Sequence, residues 1–558
     1  MSGWRWVRLR VAAVVWAVWS AAALAAPVPK NAVASAHPWA TAAGMDMLRA
    51  GGNAFDAAVA ISAVLAVVEP ASSGVGGGGF YLLHTAKGGR DVMVDARETA
   101  PLAARPDLYV APDRAPGASS TDGPLAAGIP GEPAAWAHLA KQYGRLPLRQ
   151  SLAPAIRIAH EGFPLYARLQ NAIRVKQARL AASSEAGRVF LEHGQVPEVG
   201  ALIRQPELAS TLEMLARDGV QAFYQGAFAD RLVAAVRRDG GIWTREDLAR
   251  YRVVERVPLT LHYRDATLVT AAPPSSGGVV IGDVLNMLSG YDLARLDRDT
   301  RRHLTIEALR RAFRDRAEYL GDPDFVKMPL ARLLSADYAA GQATSIRLDR
   351  ATPSEMLRPV TAETEGQHTT HFSVLDAAGN RVAATISINL FFGATYMVPG
   401  TGFLLNDTMD DFSTAPGQPN AFQLVGAAAN AVGPGKRPLS SMTPTFVETP
   451  RGLLIIGSPG GSTIISNVLF GILGWFDGLS AAEIVALPRF HHQYLPDVVT
   501  LEPGALSAAE RAALERLGHH LSEGRYGWGN TQVITWDYGT GKVETASDPR
   551  GFGAGLVY

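Results

Sequence analysis

The chain has 558 residues, of which 47% are hydrophobic and 19% are charged, and its acidic and basic side chains balance to a net charge of zero. This composition is typical of a folded protein with a large core, and the neutral balance argues against nucleic acid or an anionic surface as its main partner. The sequence contains no cysteine, which excludes disulfide bonds, thiolate metal sites and a cysteine nucleophile.

Residues 1–25 have the order of a secretory signal. Arginines in the first ten residues precede an apolar run that ends in the small-residue triplet Ala23-Leu24-Ala25. The alternative is an uncleaved anchor, although the run is short for a bilayer span and no later stretch is long enough to be one. We therefore expect a periplasmic or secreted protein that is cut after Ala25.

The next region predicts buried helices. Residues 38–68 read as two helices broken at Gly51-Gly52, the second almost wholly apolar. Gly74–Gly79 then fits the G-x-G-x-x-G pattern, but a dinucleotide site needs a strand before it and a helix after it, and here the order is reversed. We interpret these glycines as a tight turn with close backbone packing.

The rest of the chain divides into a helix-rich part and a strand-rich part. Residues 136–260 and 302–345 read as helical, and the polar residues 347–368 read as an exposed linker where a chain is easily cut. After residue 368 strand patterns dominate, interrupted mainly by a helix near 508–517.

A hairpin follows the linker at once. If Leu375 pairs with Arg381, Thr369 lies opposite Ser387 and His371 opposite Thr385. Thr385, Ser387 and Asn389 then share one face of the second strand. That face is either a functional site or an ordinary solvated sheet face, and a slip of the register would change the pairs.

The reactivity of Thr369 depends on a base. A threonine hydroxyl is a weak nucleophile, and no acidic residue lies between Thr369 and Asp376. If the chain is cut before Thr369, however, the new α-amino group lies on the same residue, and its pKa of about 8 in peptides allows it to take the hydroxyl proton. Cleavage would thus supply the missing base.

Several motifs in this order resemble the γ-glutamyltranspeptidase family of N-terminal nucleophile hydrolases, and the resemblance extends from about residue 36 to the C-terminus. These motifs are AGGNAFDAAVA, GGGGF, DARETAP, PPSSGG, EYLGDPDFVK, HTTHFSVLD, NDTMDDF, AVGPGKRPLSSMTPT, GSPGGS and PRFHHQYLPD.

The resemblance implies an α+β fold, a four-layer αββα sandwich built from two interwoven pieces of one precursor. The precursor would cleave itself between His368 and Thr369, giving a large piece of residues 26–368 and a small piece of residues 369–558. Thr369 would then attack glutathione or another γ-glutamyl amide, and water, an amino acid or a peptide would resolve the acyl-enzyme without a cofactor.

Matching motif positions assign the substrate's head group to three residues. Arg97 of DARETAP would bind the α-carboxylate, a task that suits a guanidinium because it donates parallel hydrogen bonds. Asp411, the second acid of MDD, would bind the α-ammonium with Asn389 nearby.

Two further pairs complete the implied site. Ser440 and Ser441 of PLSSM would hydrogen-bond the carboxylate. Gly460 and Gly461 of SPGGS would offer backbone N–H groups to the tetrahedral oxyanion, although two glycines on their own would suggest only a tight turn.

Three positions depart from the family pattern. Ser387 replaces the threonine that helps to position the nucleophile, so the restraining methyl is lost and slower maturation is expected. Thr408 stands where a Gln or Glu usually contacts the substrate's amino group, which predicts a weaker contact. In the candidate lid, residues 413–426, Phe422 appears where a tyrosine is common.

Two alternatives compete with this interpretation: a related acylase for non-glutamyl amides such as β-lactam side chains, and a secreted binding protein that never matures. No G-x-S-x-G pentapeptide occurs, which excludes a serine hydrolase of that kind. His491 and His492 are adjacent in an extended segment and point to opposite faces, so we expect no metal site there.

Overall fold

The structure is a computed structural model. It describes residues 29–111, 118–357, 369–414, 420–524 and 527–558. The predicted signal segment, His368 and the bond before Thr369 lie outside these ranges. None of the helices in the described ranges is both long and apolar enough to cross a membrane.

Two large antiparallel sheets form the centre of the described structure, with strands and helices numbered here in chain order. The first sheet has the order β18 (Ala554–Val557), β1 (Ala32–Ser35), β9 (Thr370–Leu375), β10 (Arg381–Ser387), β2 (Gly78–Thr85), β3 (Arg90–Asp95), β6 (Val254–Arg256). The second has the order β17 (Val543–Ser547), β16 (Gln532–Asp537), β12 (Gly452–Gly457), β11 (Thr445–Thr449), β8 (Ala266–Thr270), β7 (Leu259–Tyr263).

Two small sheets lie outside this centre. One contains β13 (Phe490–His491), β14 (Val499–Leu501) and β15 (Leu521–Glu523), and the other pairs β4 (Phe163–Pro164) with β5 (Leu202–Ile203).

Helices cover the outer face of each large sheet. Those that precede β6 are α1 (Pro38–Arg49), α2 (Ala54–Val68), α3 (Glu132–Gln142), α4 (Leu148–Glu161), α5 (Ala167–Ala182), α6 (Ser184–Phe190), α7 (Pro206–Asp218), α8 (Gln221–Tyr224), α9 (Gly226–Arg238) and α10 (Arg245–Arg250). Those that follow β8 are α11 (Gly277–Leu288), α12 (Arg298–Tyr319), α13 (Leu330–Leu333), α14 (Ala336–Ala343), α15 (Thr463–Phe476), α16 (Ala481–Ala486) and α17 (Ala508–Arg516).

The contacts between these elements define four layers. Helix α2 packs on β9 and β10, which in turn face β12 and β16 of the second sheet, and α15 and α11 pack on the far side of that sheet. One apolar core fills the space between the helices around α2 and the first sheet, and another fills the space between the sheets and around α11, α12 and α15. The predicted αββα order is confirmed.

The sheets mix strands from both sides of Thr369. Strand β1 lies between β18 and β9, and β10 pairs with β2, so the pairs β1–β18, β1–β9 and β10–β2 each join strands from before and after that point of the sequence. The predicted division into a helix-rich and a strand-rich part is therefore incomplete, since strands β1 to β8 precede Thr369. Residues 254–256 and 259–260, which read as helical, belong to β6 and β7.

Local sequence explains the buried helix α2. Asn53 caps its first turn by accepting hydrogen bonds from Phe55 N and Asp56 N, while the Asp56 carboxylate accepts from Asn53 N. Every residue of the helix is buried. The predicted break at Gly51-Gly52 is confirmed, and Gly51 adopts a φ of 89°.

The glycine-rich segment packs against the strand that ends at Ser387. A Cβ on Gly77 would lie 2.1 Å from the Ser387 carbonyl oxygen, and one on Gly79 would lie 2.2 Å from that of Thr385. The segment runs into strand β2, so the interpretation as close backbone packing is confirmed.

The predicted hairpin register is also confirmed. Leu375 pairs with Arg381 and His371 with Thr385. Thr385 and Ser387 lie on the face of β10 that looks toward the second sheet, and both are fully buried, which rules out a solvated face.

The start of the predicted linker is fixed by a buried polar network, which we call the linker clamp (Glu307, Arg310, Ser354, His492 and Asp497). Ser354 N donates to Asp497 Oδ2 at 2.7 Å, and Arg310 pairs with Asp497 and donates to Ser354 Oγ at 2.7 Å. His492 Nε2 lies 3.1 Å from Asp497 Oδ1, and Glu307 pairs with Arg310. The expectation of an exposed linker is therefore wrong at Ser354, although the neighbouring Glu355 is exposed and residues 358–368 lie outside the described ranges.

Candidate active site

Thr369 lies immediately before β9, with only 5% of its surface exposed. Its Oγ1 is 3.3 Å from Ser387 Oγ, which accepts a hydrogen bond from Asn389 N at 2.8 Å. The neighbouring Thr370 points to the opposite face, and its buried hydroxyl has no hydrogen-bond partner among the described residues. This geometry favours Thr369 over Thr370 as the nucleophile.

Asn389 turns the chain out of β10 at this point. It adopts a φ of 77°, a left-handed conformation that is uncommon for residues other than glycine. Asp407 holds the turn, because its carbonyl accepts from Asn389 Nδ2 at 3.0 Å and its carboxylate accepts from Leu390 N at 3.0 Å. Strain that is supported in this way is typical of functional sites.

A small cavity of about 20 Å³ opens beside Thr369. Most of the residues that the sequence assigned to the site meet there, together with Phe422 and one additional arginine. Its polar and glycine lining is Arg97, Arg316, Thr369, Ser387, Asn389, Asp411, Ser440, Ser441 and Gly461.

Arg97 and Asp411 pair with each other across this cavity. The Arg97 guanidinium is fully buried and its Nη2 donates to the Asp411 carboxylate. Burial raises the pKa of Asp411, and the charges of Arg97 and Arg316 oppose that rise. An α-amino acid head group carries one charge of each sign, so it can satisfy both partners of this pair.

Glu98 lies behind Arg97, with its carboxylate 3.7 Å from the Arg97 Nη1. Both of its oxygens are buried without a hydrogen-bond partner among the described residues. Burial raises the pKa of Glu98 to about 8, against the opposing charge of Arg97. Glu98 is therefore mainly protonated at neutral pH, and Asp411 is the acid that hydrogen-bonds Arg97.

The loop that carries Ser440 and Ser441 is held by the PPSSGG motif before α11. Ser440 N donates to Pro274 O at 2.8 Å, and Ser276 N donates to Ser440 O at 2.7 Å. Ser275 Oγ donates to Met442 O at 2.6 Å. The motif thus positions the two serine hydroxyls from the opposite side of the predicted cut.

Gly460 and Gly461 precede α15 and adopt φ values of 135° and 55°, which side chains rarely allow. Neither of their buried backbone N–H groups donates a hydrogen bond to any described residue. Gly461 lines the cavity, and the ring of Phe422 covers it so closely that a Cβ on Gly461 would lie 2.4 Å from Phe422 Cδ1. Buried N–H groups without acceptors are rare, and beside a nucleophile they suit an oxyanion.

Thr408 does not reach the cavity. Its side chain is fully buried, and its hydroxyl donates to Asn406 Oδ1 at 2.5 Å. Asn406 in turn donates to the carbonyls of Gly76 and Gly128. Thr408 therefore contributes to the support of the glycine-rich segment and presents no polar group to the cavity.

Sequence reasoning missed Arg316 of α12. The residue belongs to an arginine-rich helical stretch that shows no separate motif. In the structure its Nε donates to Ser276 Oγ at 2.9 Å and its Nη2 to Ser441 Oγ at 3.3 Å. The signal that could have identified it is its place directly before EYLGDPDFVK, one of the motifs of the resemblance.

His491 and His492 use their ring nitrogens within the protein. His491 contacts Ser466 Oγ at 2.9 Å and Gln493 Oε1 at 2.9 Å, whereas His492 belongs to the linker clamp. That no metal binds these two histidines remains a prediction.

In the described ranges a different group, His303, Glu307 and His519, has metal-ligand composition. The Glu307 carboxylate already pairs with Arg310 and Arg311, whose charges disfavour a cation there.

Comparisons with known proteins agree with the family that the sequence motifs suggest. The family model described as Gamma-glutamyltranspeptidase matches residues 40–558. The chain is 42% identical over 509 residues to the glutathione hydrolase proenzyme of Pseudomonas sp. (strain A14), covering 90% of this chain and 88% of that protein. It is 40% identical over 525 residues to the glutathione hydrolase proenzyme of Escherichia coli (strain K12), covering 93% and 90%.

Solved structures give the same fold. Cephalosporin acylase from Bacillus halodurans superposes with a TM-score of 0.83 at 30% identity, covering 95% of this chain and 96% of that chain. The γ-glutamyltranspeptidase of Helicobacter pylori superposes with a TM-score of 0.56 at 37% identity, covering 58% of this chain and 94% of that chain.

Proposed function

Because the chain belongs to the γ-glutamyltranspeptidase family, we propose that it is a γ-glutamyl hydrolase and transferase that acts on glutathione through an acyl-enzyme on Thr369. The observation that carries the assignment of residues is the cavity itself. It places a buried threonine hydroxyl, a paired arginine and aspartate, two serines and a free glycine N–H around one small space.

The nucleophile is formed by cleavage of the bond between His368 and Thr369. The Thr369 hydroxyl attacks the preceding carbonyl, and water hydrolyses the resulting ester, which leaves residues 26–368 and residues 369–558 as two pieces. The freed α-amino group then serves as the base for Thr369.

The substrate binds by its α-amino acid head group. Its α-carboxylate is bound by Arg97, Ser440 and Ser441, and its α-ammonium by Asp411 with Asn389 nearby. Head-group binding brings the γ-carbonyl to Thr369, and the N–H groups of Gly460 and Gly461 stabilise the oxyanion. The leaving amine departs with a proton, and water or an amine acceptor resolves the ester.

A denaturing gel tests the cleavage. Purified protein gives two bands, and N-terminal sequencing of the smaller band reads Thr-Thr-His-Phe. Thr369→Ala gives one uncut chain without turnover, and cleavage at the same bond in that variant would contradict the mechanism. The larger band begins after Ala25 if the signal segment is removed on export.

The second candidate function is an acylase for non-glutamyl amides, which the similarity to cephalosporin acylase supports. Asp411 argues against it, because a glutaryl amide keeps the carboxylate that would pair with Arg97 but lacks the α-ammonium that Asp411 would bind. Release of glutamate from glutathione without turnover of the matching glutaryl amide selects the first function, and the reverse pattern selects the second.

A further inference from the structure

Arg316 differs from Arg97, the other arginine of the cavity, because it forms no ion pair with an acid of the described residues. Only 4% of its surface is exposed, and no carboxylate of the described residues lies within ion-pair distance of its guanidinium. The acid whose charge acts on the pKa of Arg316 is Asp411, and Asp411 is already paired with Arg97. Burial lowers the pKa of Arg316 to about 10, so the side chain remains charged at neutral pH.

The charges around the cavity therefore do not cancel. Asp411 is paired with Arg97, and Glu98 is mainly protonated at neutral pH, so neither acid is available to Arg316. One positive charge, that of Arg316, remains uncompensated. A buried charge without a partner is unfavourable, and an anionic ligand would offset that cost.

The hydrogen bonds of Arg316 also set the direction of the Ser441 hydroxyl. A guanidinium can only donate, so Ser441 Oγ is the acceptor of the 3.3 Å contact. Its own proton is then free to point into the cavity. Ser276 receives the second N–H of Arg316 and donates its proton to Ser440 O at 2.7 Å, so it offers none to the ligand.

We propose that Arg316 is a positioning and specificity residue for the α-carboxylate of the substrate, acting through the Ser441 hydroxyl and through its uncompensated charge. The proposal rests on the proposed function, because it concerns the carboxylate of the same γ-glutamyl head group. It implies that the site favours a free α-carboxylate over its neutral amide more strongly than Arg97 alone would.

A purely structural role is the competing explanation, since Arg316 also bridges Ser276 on one loop and Ser441 on another. A structural role would affect all substrates alike. A role in carboxylate recognition would affect only substrates that carry the carboxylate.

The test compares γ-glutamyl-p-nitroanilide with the same compound carrying a neutral amide in place of its α-carboxylate, using cut protein. Arg316→Gln raises KM for the carboxylate substrate about tenfold or more and leaves KM for the amide within about twofold. Arg316→Lys keeps the charge but cannot contact both serines, and it gives an intermediate ratio of the two KM values. Arg314→Gln, which removes a contact with Asp315 on the same helix, leaves both KM values unchanged.

Equal rises of KM for the two substrates, or an unchanged ratio in both variants, overturn the proposal. If Arg316→Gln does not fold, Arg316→Lys decides by the same ratio. Failure of the proposed function is a separate result, because the wild-type protein would then release no p-nitroaniline from the γ-glutamyl compound.

Discussion

Helix α12 presents buried arginines to two regions of opposite character. In the linker clamp, Arg310 pairs with Glu307 and Asp497. At the cavity, less than two turns further along the helix, the Arg316 guanidinium donates to two serine hydroxyls and forms no ion pair within the described residues. The charges of the linker clamp are paired within the protein, whereas the charge of Arg316 is available to pair with a ligand.

One buried acid from each region, Glu307 of the linker clamp and Glu98 behind Arg97, shows the same difference. The Glu307 carboxylate accepts hydrogen bonds from Arg310, Arg311 and Thr352 N. Burial raises the pKa of Glu307, but its arginine partners and Thr352 outweigh burial and lower it overall. The Glu98 oxygens accept no hydrogen bond from the described residues, and burial raises the pKa of Glu98 in spite of the nearby charge of Arg97. We expect changes in the clamp to affect stability and changes at the cavity to affect turnover.

The largest effect is expected from Arg310→Met. The change leaves Glu307 and Asp497 without their shared cation, and loss of one partner of a buried ion pair costs about 3 kcal/mol of unfolding free energy. Denaturant unfolding of the variant measures this loss, and KM for glutathione stays unchanged. A raised KM with unchanged stability would contradict the separation of the two regions.

Asp411→Asn is expected to raise KM and to have little effect on stability. It removes the charge that we assign to the substrate's α-ammonium, so KM for γ-glutamyl-p-nitroanilide rises about tenfold to a hundredfold. Steady-state kinetics measure the change, and a slowly hydrolysed glutaryl anilide without the α-ammonium serves as the matched substrate. A similar rise of KM for both compounds would show that Asp411 does not recognise the ammonium.

Glu98→Gln is expected to change how the melting temperature depends on pH. Wild-type Glu98 has a pKa of about 8 in the folded protein against a reference value of 4.5, so its contribution to stability is complete below about pH 4.5 and is lost as pH rises through 8. A glutamine has no such titration, so Tm of the variant falls less between about pH 5 and pH 8. Melting curves at several pH values measure this, with exposed Glu192→Gln as the control. Parallel profiles of wild type and Glu98→Gln would contradict it.

The smallest effect is expected from Ser387→Thr. The added methyl restricts the rotation of the hydroxyl that lies 3.3 Å from Thr369 Oγ1. Chain cutting should then become about twofold to fivefold faster. A time course of the two bands on a gel measures the rate, and slower cutting would show that the serine is already well placed.

The sequence predicted those parts of the molecule that depend on local patterns. Alternation alone gave the register of β9 and β10, and the Gly51-Gly52 break separated α1 from α2. Motif positions gave most of the cavity lining, although spacing could not have brought Arg97 to Asp411, which lies 314 residues later in the chain.

The missed features depend on contacts between distant segments. Arg316 is separated from Ser276 by 40 residues and from Ser441 by 125. The pairing of Arg310 with Asp497 spans 187 residues, and only the fold shows that it fixes the start of the linker. Thr408 is the opposite case. Its motif position suggested a contact with the substrate, but its hydroxyl donates a hydrogen bond to Asn406 and does not face the cavity.

The interleaving of the strands determines the order of folding and cleavage. Strand β9 pairs with β1 on one side, and β10 pairs with β2 on the other, so both ladders join residues from either side of Thr369. Two polypeptides woven in this way cannot drift apart on dilution, because separation requires both ladders and the apolar layers around them to come apart. The nick must therefore follow folding, and after it the two pieces separate only when they unfold, so the melting temperature of the cut protein rises with protein concentration.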